Sequence, residues 1–197
     1  MQTRSVHTQE RILKSALNLF AEQGYEHTGV SQICRNAGIS KGAFYHHFCS
    51  KDDLFLRLLD DWTEAVHTQI KERFDNSVSI QDGFLETSKS LNEIIDGTTS
   101  NLSLLFEFWQ YSVKDPALWE RAVRPLHQFK QHFLDLIERG KNNNEIEVHD
   151  PELIANTILA FSFGIIASSM LDAQQDWGKA SSYGFSALFN QMSGRDL

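Results

Sequence analysis

The stretch Thr28–Lys51, TGVSQICRNAGISKGAFYHHFCSK, constrains the fold more tightly than any other part of the chain. Apolar side chains recur at helical spacing from Val30 to Ala37, which predicts a short helix with one buried face. Gly38 follows directly, and a glycine there can adopt the left-handed conformation that ends helices. Ser40 can then cap a second short helix. Two short helices joined by a tight turn predict a helix-turn-helix at about residues 29–48.

The second of these helices is too short, and too polar on its outer side, to serve packing alone. Lysine supplies charge for a phosphate or a guanine edge, and tyrosine and histidine add hydrogen-bonding groups on amphipathic rings. Glycine lowers helix propensity, so its presence here indicates that close approach to a partner is needed. We therefore predict double-stranded DNA as the partner, with eight contact residues: Thr28, Ser40, Lys41, Gly42, Tyr45, His46, His47 and Lys51.

The flanking segments are also helical. An amphipathic pattern over residues 8–23 predicts a helix that ends at Gly24. Ser50 and Asp53 form a capping box, and the helix that they open continues without Gly or Pro to Phe74. The whole chain holds only three prolines and no alternating β-branched runs. These features predict an all-α protein.

Over about residues 6–66 the chain resembles the TetR/AcrR family of transcriptional regulators. The matching positions keep a fixed order and spacing: Gly24-Tyr25, Thr28, Ile33, Ala37-Gly38-Ile39-Ser40, Lys41-Gly42, Tyr45-His46-His47-Phe48, Ser50-Lys51 and Leu54. Cys34, where the family usually has alanine, and Cys49 depart from the pattern. The resemblance implies a dimer in which the helix from Lys51 to Phe74 transmits a ligand signal to the DNA-binding end.

The charge is divided unevenly along the chain. Residues 1–51 carry six Lys or Arg against three Asp or Glu, a net charge of +3, whereas the remaining 146 residues carry −11, for −8 overall. A duplex attracts the basic end and repels the acidic remainder. The asymmetry therefore favours DNA binding through the N-terminal end.

Many large rings lie on predicted helices after Phe74. A break at Asp75-Asn76-Ser77 indicates the boundary between a DNA-binding domain at 6–66 and a ligand-binding and dimerisation domain at 75–197, with a loop at 96–101. A single ring is more often core packing, but together the rings predict an apolar cavity for a hydrophobic small molecule. Its lining would include Phe106, Trp109, Trp119, Phe129, Phe133 and Phe161. His127 and His132 are ambiguous, and we assign both to the surface.

Residues 153–171 are uncharged over 19 positions, which is nominally the length of a membrane span. Acids flank the segment closely, and Lys and Arg do not. We therefore expect that this segment does not span a membrane. We expect instead a helix covered on one side by its own core and on the other by a partner. Small residues in it would permit close helix packing. With a last helix at about 177–192 it would form a four-helix homodimer interface, as the resemblance also implies.

Other classes of site and protein are less well supported. Cys34, His46, His47 and Cys49 have the chemistry of metal ligands but not the spacing of structural zinc sites. Glu64-Ala65-Val66-His67 is a single Glu-x-x-His pair, and a di-iron enzyme needs two. There is no GxSxG motif and no phosphate-binding glycine loop. We expect no cofactor and no enzymatic activity, and two cysteines with no charged, apolar leader favour the reducing cytoplasm.

Together these patterns predict a ligand-responsive, DNA-binding transcriptional repressor. As a homodimer it would bind a palindromic operator, and a hydrophobic small molecule would release it; release and repression are what the resemblance implies. The alternative is a helical small-molecule-binding protein or enzyme that retains the fold without DNA binding.

Overall fold

The computed structural model describes residues 2–194, except the side chains of residues 2–4 and 96–101. The elements are all helices, so the predicted all-α class is confirmed. They are α1 Gln2–Gln23, α2 Val30–Ala37, α3 Lys41–His47, α4 Lys51–Asp75, α5 Ile80–Ser112, α6 Pro116–Asn142, α7 Pro151–Leu171 and α8 Trp177–Met192.

The helices form two compact units. The first consists of Met1–Thr63 and Ser100–Arg124, and the second of Glu64–Thr99 and Pro125–Leu197. Helices α4, α5 and α6 therefore each have residues in both units. The sequence-based division had assigned residues 100–124 to the second domain. Periodicity shows where a helix begins and ends, but not which partner each of its ends packs against.

The core of the first unit fixes the helix-turn-helix. Phe20 of α1, Ile33 of α2 and Phe44 of α3 are almost fully buried. They belong to one cluster with residues of α4 and of the last part of α5: Leu54, Phe55, Leu59, Leu104, Leu105 and Phe108. Helices of two turns are not stable alone. Here α1, α4 and α5 pack against the two short helices and stabilise them.

Helix α5 is continuous from Ile80 to Ser112, so the loop expected at residues 96–101 is wrong. That expectation was based on a run of weak helix formers around Gly97. A glycine costs a helix only about 1 kcal/mol relative to alanine. The buried Leu91 and Leu102, on either side of the segment, hold the helix by packing.

The second unit has its own core, and α7 is only partly inside it. Phe74, Phe84, Ile137, Ile158 and Phe185 belong to this core. By length and composition alone α7 could cross a membrane, and only 17% of its most apolar window is buried within the described part of the chain. Its buried residues are Ala155, Ile158, Ile165 and Ser169, whereas Leu153, Ala160, Gly164 and Leu171 form an exposed stripe.

Candidate nucleic-acid interface

The helix-turn-helix is built by the two local signals that the sequence predicts. Gly38 follows α2 with φ 62°, and Ile39 N donates a hydrogen bond to Cys34 O over 2.9 Å. Ser40 Oγ accepts a hydrogen bond from Ala43 N over 3.1 Å at the start of α3. Arg11 of α1 donates to Gly38 O over 3.1 Å, which ties the turn to the first helix. The turn and the start of α3 are therefore held by polar contacts.

Helix α3 turns a polar face outward and an aromatic face inward. Lys41, Gly42 and His46 are exposed, and Tyr45 is 56% exposed. Phe44, between them, is fully buried. Ser40 is also exposed, and His47 is half-buried. The structure thus brings together six of the eight predicted contact residues on and beside α3.

Gly42 lies on this exposed face without a structural need for glycine. A Cβ built there would meet nothing closer than Ser40 Oγ, at 3.8 Å, an ordinary van der Waals distance. Its backbone is helical, so no positive φ requires glycine either. The missing side chain therefore leaves the backbone open to an external partner.

Thr28 is not where a DNA contact should be. Its side chain is 1% exposed, and its hydroxyl donates to Gly24 O over 2.7 Å and accepts from Gln23 Nε2 over 3.1 Å. The N-cap of α2 is Gly29, not Thr28. Thr28 therefore stabilises the turn between α1 and α2 and presents no hydroxyl at the surface, contrary to the sequence-based expectation.

Lys51 also differs from the expectation of a free cation aimed at DNA. Its Nζ donates to Tyr25 O over 2.8 Å and lies 4.1 Å from the centre of the Tyr25 ring. Burial lowers the pKa of this amine, and nearby Asp52, Glu26 and Glu107 oppose that shift. The ammonium is engaged inside the first unit, a long-range contact that the sequence did not reveal.

The two cysteines lie in different environments. Cys34 is buried on α2, and burial raises the pKa of its thiol. Cys49 is exposed just beyond α3. The rings of His46 and His47 are 5.3 Å apart and nearly perpendicular. Among the described residues, no group of three or more His, Cys, Asp or Glu is arranged to hold a metal ion.

The six rings predicted to line a ligand cavity do not form one group. Phe106, Trp109 and Trp119 belong to the first unit, and the other three to the second. The Trp109 indole donates to Ala122 O over 3.0 Å, and its ring packs edge-on against Phe106. Phe161 packs edge-on against Phe185, with 5.5 Å between ring centres. These contacts belong to the packing of each unit.

The first unit contains an apolar cavity of about 280 Å³ that none of the six rings lines. It lies between α1, α4 and α5. Its lining consists of Leu17, Phe20, Phe55, Leu58, Leu59, Asp61, Trp62, Leu104 and Leu105. Most of these residues are apolar, and apolar residues at helical spacing predict a core but not the space left between them.

In the second unit the prediction for His132 is wrong, because the residue is buried and not at the surface. It is 6% exposed, and its Nε2 atom has no hydrogen-bond partner among the residues that the structure describes. Burial, followed by the nearby His67, lowers its pKa to about 4. The rings of His132 and His67 are 5.3 Å apart. A signal existed, since His132 is spaced three and four residues from Phe129 and Leu136 on the apolar face of α6.

The chain is similar to known regulators in sequence and in fold. Residues 12–58 match the family model described as bacterial regulatory proteins, tetR family. The HTH-type transcriptional regulator UidR of Escherichia coli K12 is 25% identical over 171 residues, covering 85% of this chain and 84% of UidR.

Two solved structures have the same fold. FadR from Bacillus subtilis in complex with stearoyl-CoA superposes with a TM-score of 0.81 at 18% identity, covering 93% of this chain and 98% of that one. GusR from Salmonella enterica gives a TM-score of 0.76 at 24% identity, covering 93% and 95%. With a helix-turn-helix braced by longer helices, an exposed polar α3 and relatives of this kind, the chain belongs to the TetR family of bacterial, DNA-binding transcriptional regulators.

Proposed function

We propose that the chain is a repressor that binds a palindromic operator as a homodimer and is released by a hydrophobic small molecule. The observation that carries the DNA-binding part is the outer face of α3. Lys41, Tyr45 and His46 project from it around a glycine that the fold itself does not require. Charge, hydrogen-bonding groups and close backbone access on one short helix are what a base edge and its phosphates need.

We assign the DNA contacts to Ser40, Lys41, Gly42, Tyr45, His46 and His47. Thr28 and Lys51 support the same surface from beneath, by holding the turn before α2. A dimer would place its two α3 helices in successive major grooves, about 34–36 Å apart on one side of the duplex. A two-fold dimer fits a palindromic operator, because each half-site then meets the same side chains.

We assign the dimer interface to α7 and α8. In the single chain, Leu153, Leu171 and Tyr183 are large apolar side chains left exposed. A Cβ at Gly164 would meet nothing within 4 Å in the described part of the chain, so this glycine is not needed for packing there. Small residues on an exposed apolar stripe allow a second helix to approach closely, which favours a partner copy here.

We place the effector in the second unit, next to His132. A buried polar atom without a partner costs about 1–3 kcal/mol, and a ligand that pairs with it recovers that cost. Phe133 lies 5.9 Å from the His132 ring, and Phe129 lies 6.1 Å from His67. The stearoyl-CoA bound to the Bacillus subtilis FadR supports an effector with a long apolar part.

The mechanism follows from differential affinity. An effector that binds one spacing of the two α3 helices better than the other must change operator occupancy, and one that binds both equally cannot. Helices α4, α5 and α6 each have residues in both units, so each is a candidate carrier of the change.

The direct test is a gel shift with the DNA upstream of the chain's own gene. We expect retardation by the wild type and about 5- to 150-fold weaker binding by Tyr45→Ala, which removes a contact worth about 1–3 kcal/mol. Because Tyr45 is 56% exposed, the thermal midpoint should stay nearly unchanged. An equal loss of stability and affinity would indicate that Tyr45 contributes to core packing and not to DNA contact. A wild type that retards no DNA would favour a small-molecule-binding protein that retains the fold.

A further inference from the structure

A carboxylate of α5, that of Glu107, bonds to the backbone of the turn between α1 and α2. Glu107 Oε1 accepts a hydrogen bond from Glu26 N over 3.1 Å. The place of a Cβ at Gly24 lies 3.0 Å from the same oxygen, and Gly24 has a φ of +82°. The left-handed backbone conformation therefore favours glycine at this position, and a Cβ there would also crowd the Glu107 carboxylate.

The second residue of the turn, Tyr25, is buried among Phe55 of α4 and two rings of α5. Tyr25 is fully buried, 5.0 Å from Phe108 and 5.1 Å from Tyr111, both measured between ring centres. Its hydroxyl donates to Asp52 of α4, and its carbonyl accepts from Lys51. Helix α4 thus bonds to the carbonyl and the hydroxyl of Tyr25. Helix α5 bonds to the next backbone amide, that of Glu26, through Glu107.

The turn leads directly into the DNA-binding helices. Thr28 N donates to Tyr25 O over 3.2 Å, and the Thr28 hydroxyl donates to Gly24 O over 2.7 Å. Gly29 then caps α2, which Gly38 joins to α3. A displacement of the turn would move the start of α2 and, through it, the face of α3.

We propose that Glu107 is a positioning residue for DNA recognition: it fixes the turn at residues 24–28 and so sets the orientation of α3. The proposal rests on the DNA-binding function given above. Glu107 lies on α5, a helix that begins at Ile80 in the second unit, so it also provides a polar contact through which a shift of α5 reaches the turn.

Whether truncating Glu107 weakens or strengthens DNA binding distinguishes a positioning role from a simple effect of its charge. The first unit approaches a polyanion, so removing an acid from it should strengthen DNA binding if charge alone matters. If Glu107 positions the turn, truncating it should weaken specific binding. Glu107→Gln removes the charge but keeps an oxygen that can accept from Glu26 N, so it separates the two effects.

The experiment compares Glu107→Ala, Glu107→Gln and the control Gln110→Ala, an exposed residue on the same helix. The DNA is a duplex that the wild-type chain selects from a randomised pool. For Glu107→Ala we expect about tenfold weaker binding with an unchanged slope of log K against log salt, because no phosphate contact is lost. Glu107→Gln should bind within about twofold of the wild type, since it retains the hydrogen bond.

Amide hydrogen exchange gives a second readout that needs neither DNA nor a dimer. In Glu107→Ala the peptide that covers residues 24–29 should exchange faster than in the wild type, and in Gln110→Ala it should not. Binding by Glu107→Ala equal to or tighter than the wild type, or an unchanged exchange of the turn, would overturn the proposal. If the wild type selects no duplex, the DNA-binding function fails instead, and the exchange still decides whether Glu107 holds the turn.

Discussion

Replacing Gly42 with alanine should raise the stability of the chain and weaken its binding to DNA. The two effects have separate causes in the structure. An added Cβ meets only Ser40 Oγ, at 3.8 Å, so no clash opposes the substitution. Alanine is favoured over glycine within helices by about 0.5–1 kcal/mol. For a chain of this length that corresponds to a rise of about 1–4 °C in the thermal midpoint.

The same substitution should weaken DNA binding although it stabilises the fold. If the backbone of α3 approaches the duplex at Gly42, a methyl group there separates the surfaces and weakens the hydrogen bonds of its neighbours. We expect at least about a tenfold loss, equivalent to about 1.4 kcal/mol. Thermal unfolding followed by circular dichroism and fluorescence anisotropy with a selected duplex, at one fixed salt concentration, measure the two quantities.

Asn18→Ala is the matched control. Asn18 is exposed within α1, and asparagine is also a weak helix former, so alanine should stabilise that helix to a similar degree. Its DNA affinity should not change. A lower thermal midpoint for Gly42→Ala would show that the fold requires this glycine. A higher midpoint with unchanged affinity would place Gly42 away from the duplex, and in either case the assignment of α3 would lose its main support.

Three further outcomes can be measured with single substitutions. Gly164→Leu should give monomers by sedimentation with an unchanged helical spectrum, because the new side chain meets open space within its own chain, and a dimer would end the assignment of α7 to the interface. Lys41→Ala should reduce the slope of log K against log salt by about 0.9 for one lost phosphate contact, whereas an unchanged slope would make Lys41 a bystander. The pKa of His132, about 4 against an ordinary 6.5, means that the unfolded chain binds a proton first as the pH falls, so stability is lost between about pH 6.5 and 4 by up to about 3 kcal/mol. Urea unfolding of His132→Phe should therefore depend less on pH than that of the wild type, and equal dependence would assign the loss to other groups.

The parts of the site that were predicted correctly depend on local chemistry. A left-handed Gly38 and a capping Ser40 act on residues within four positions, so sequence spacing was sufficient to find them. The engagement of Lys51 could not be found this way, because its partner Tyr25 is 26 residues away. Thr28 was missed for another reason: a polar side chain next to the helix-turn-helix suggested a DNA contact, but its hydroxyl bonds backward to the turn.

The six rings predicted to line one cavity are divided between the two units, which helical spacing could not show. Aromatic residues on α5 and α6 have the same helical spacing whether they pack in the first unit or in the second. Phe106 and Phe133 therefore looked equivalent in the sequence, although they belong to different cores. The division of each long helix between two units depends on tertiary packing, which overrides local pattern.

The unequal burial of the two thiols has a practical consequence. Cys34 is buried on the inner face of α2, and burial raises the pKa of its thiol, whereas Cys49 is exposed just beyond α3. Only the thiolate reacts quickly with maleimides, so a dye should attach at Cys49 and leave Cys34 untouched. The native chain thus offers one chemical handle, placed beside α3.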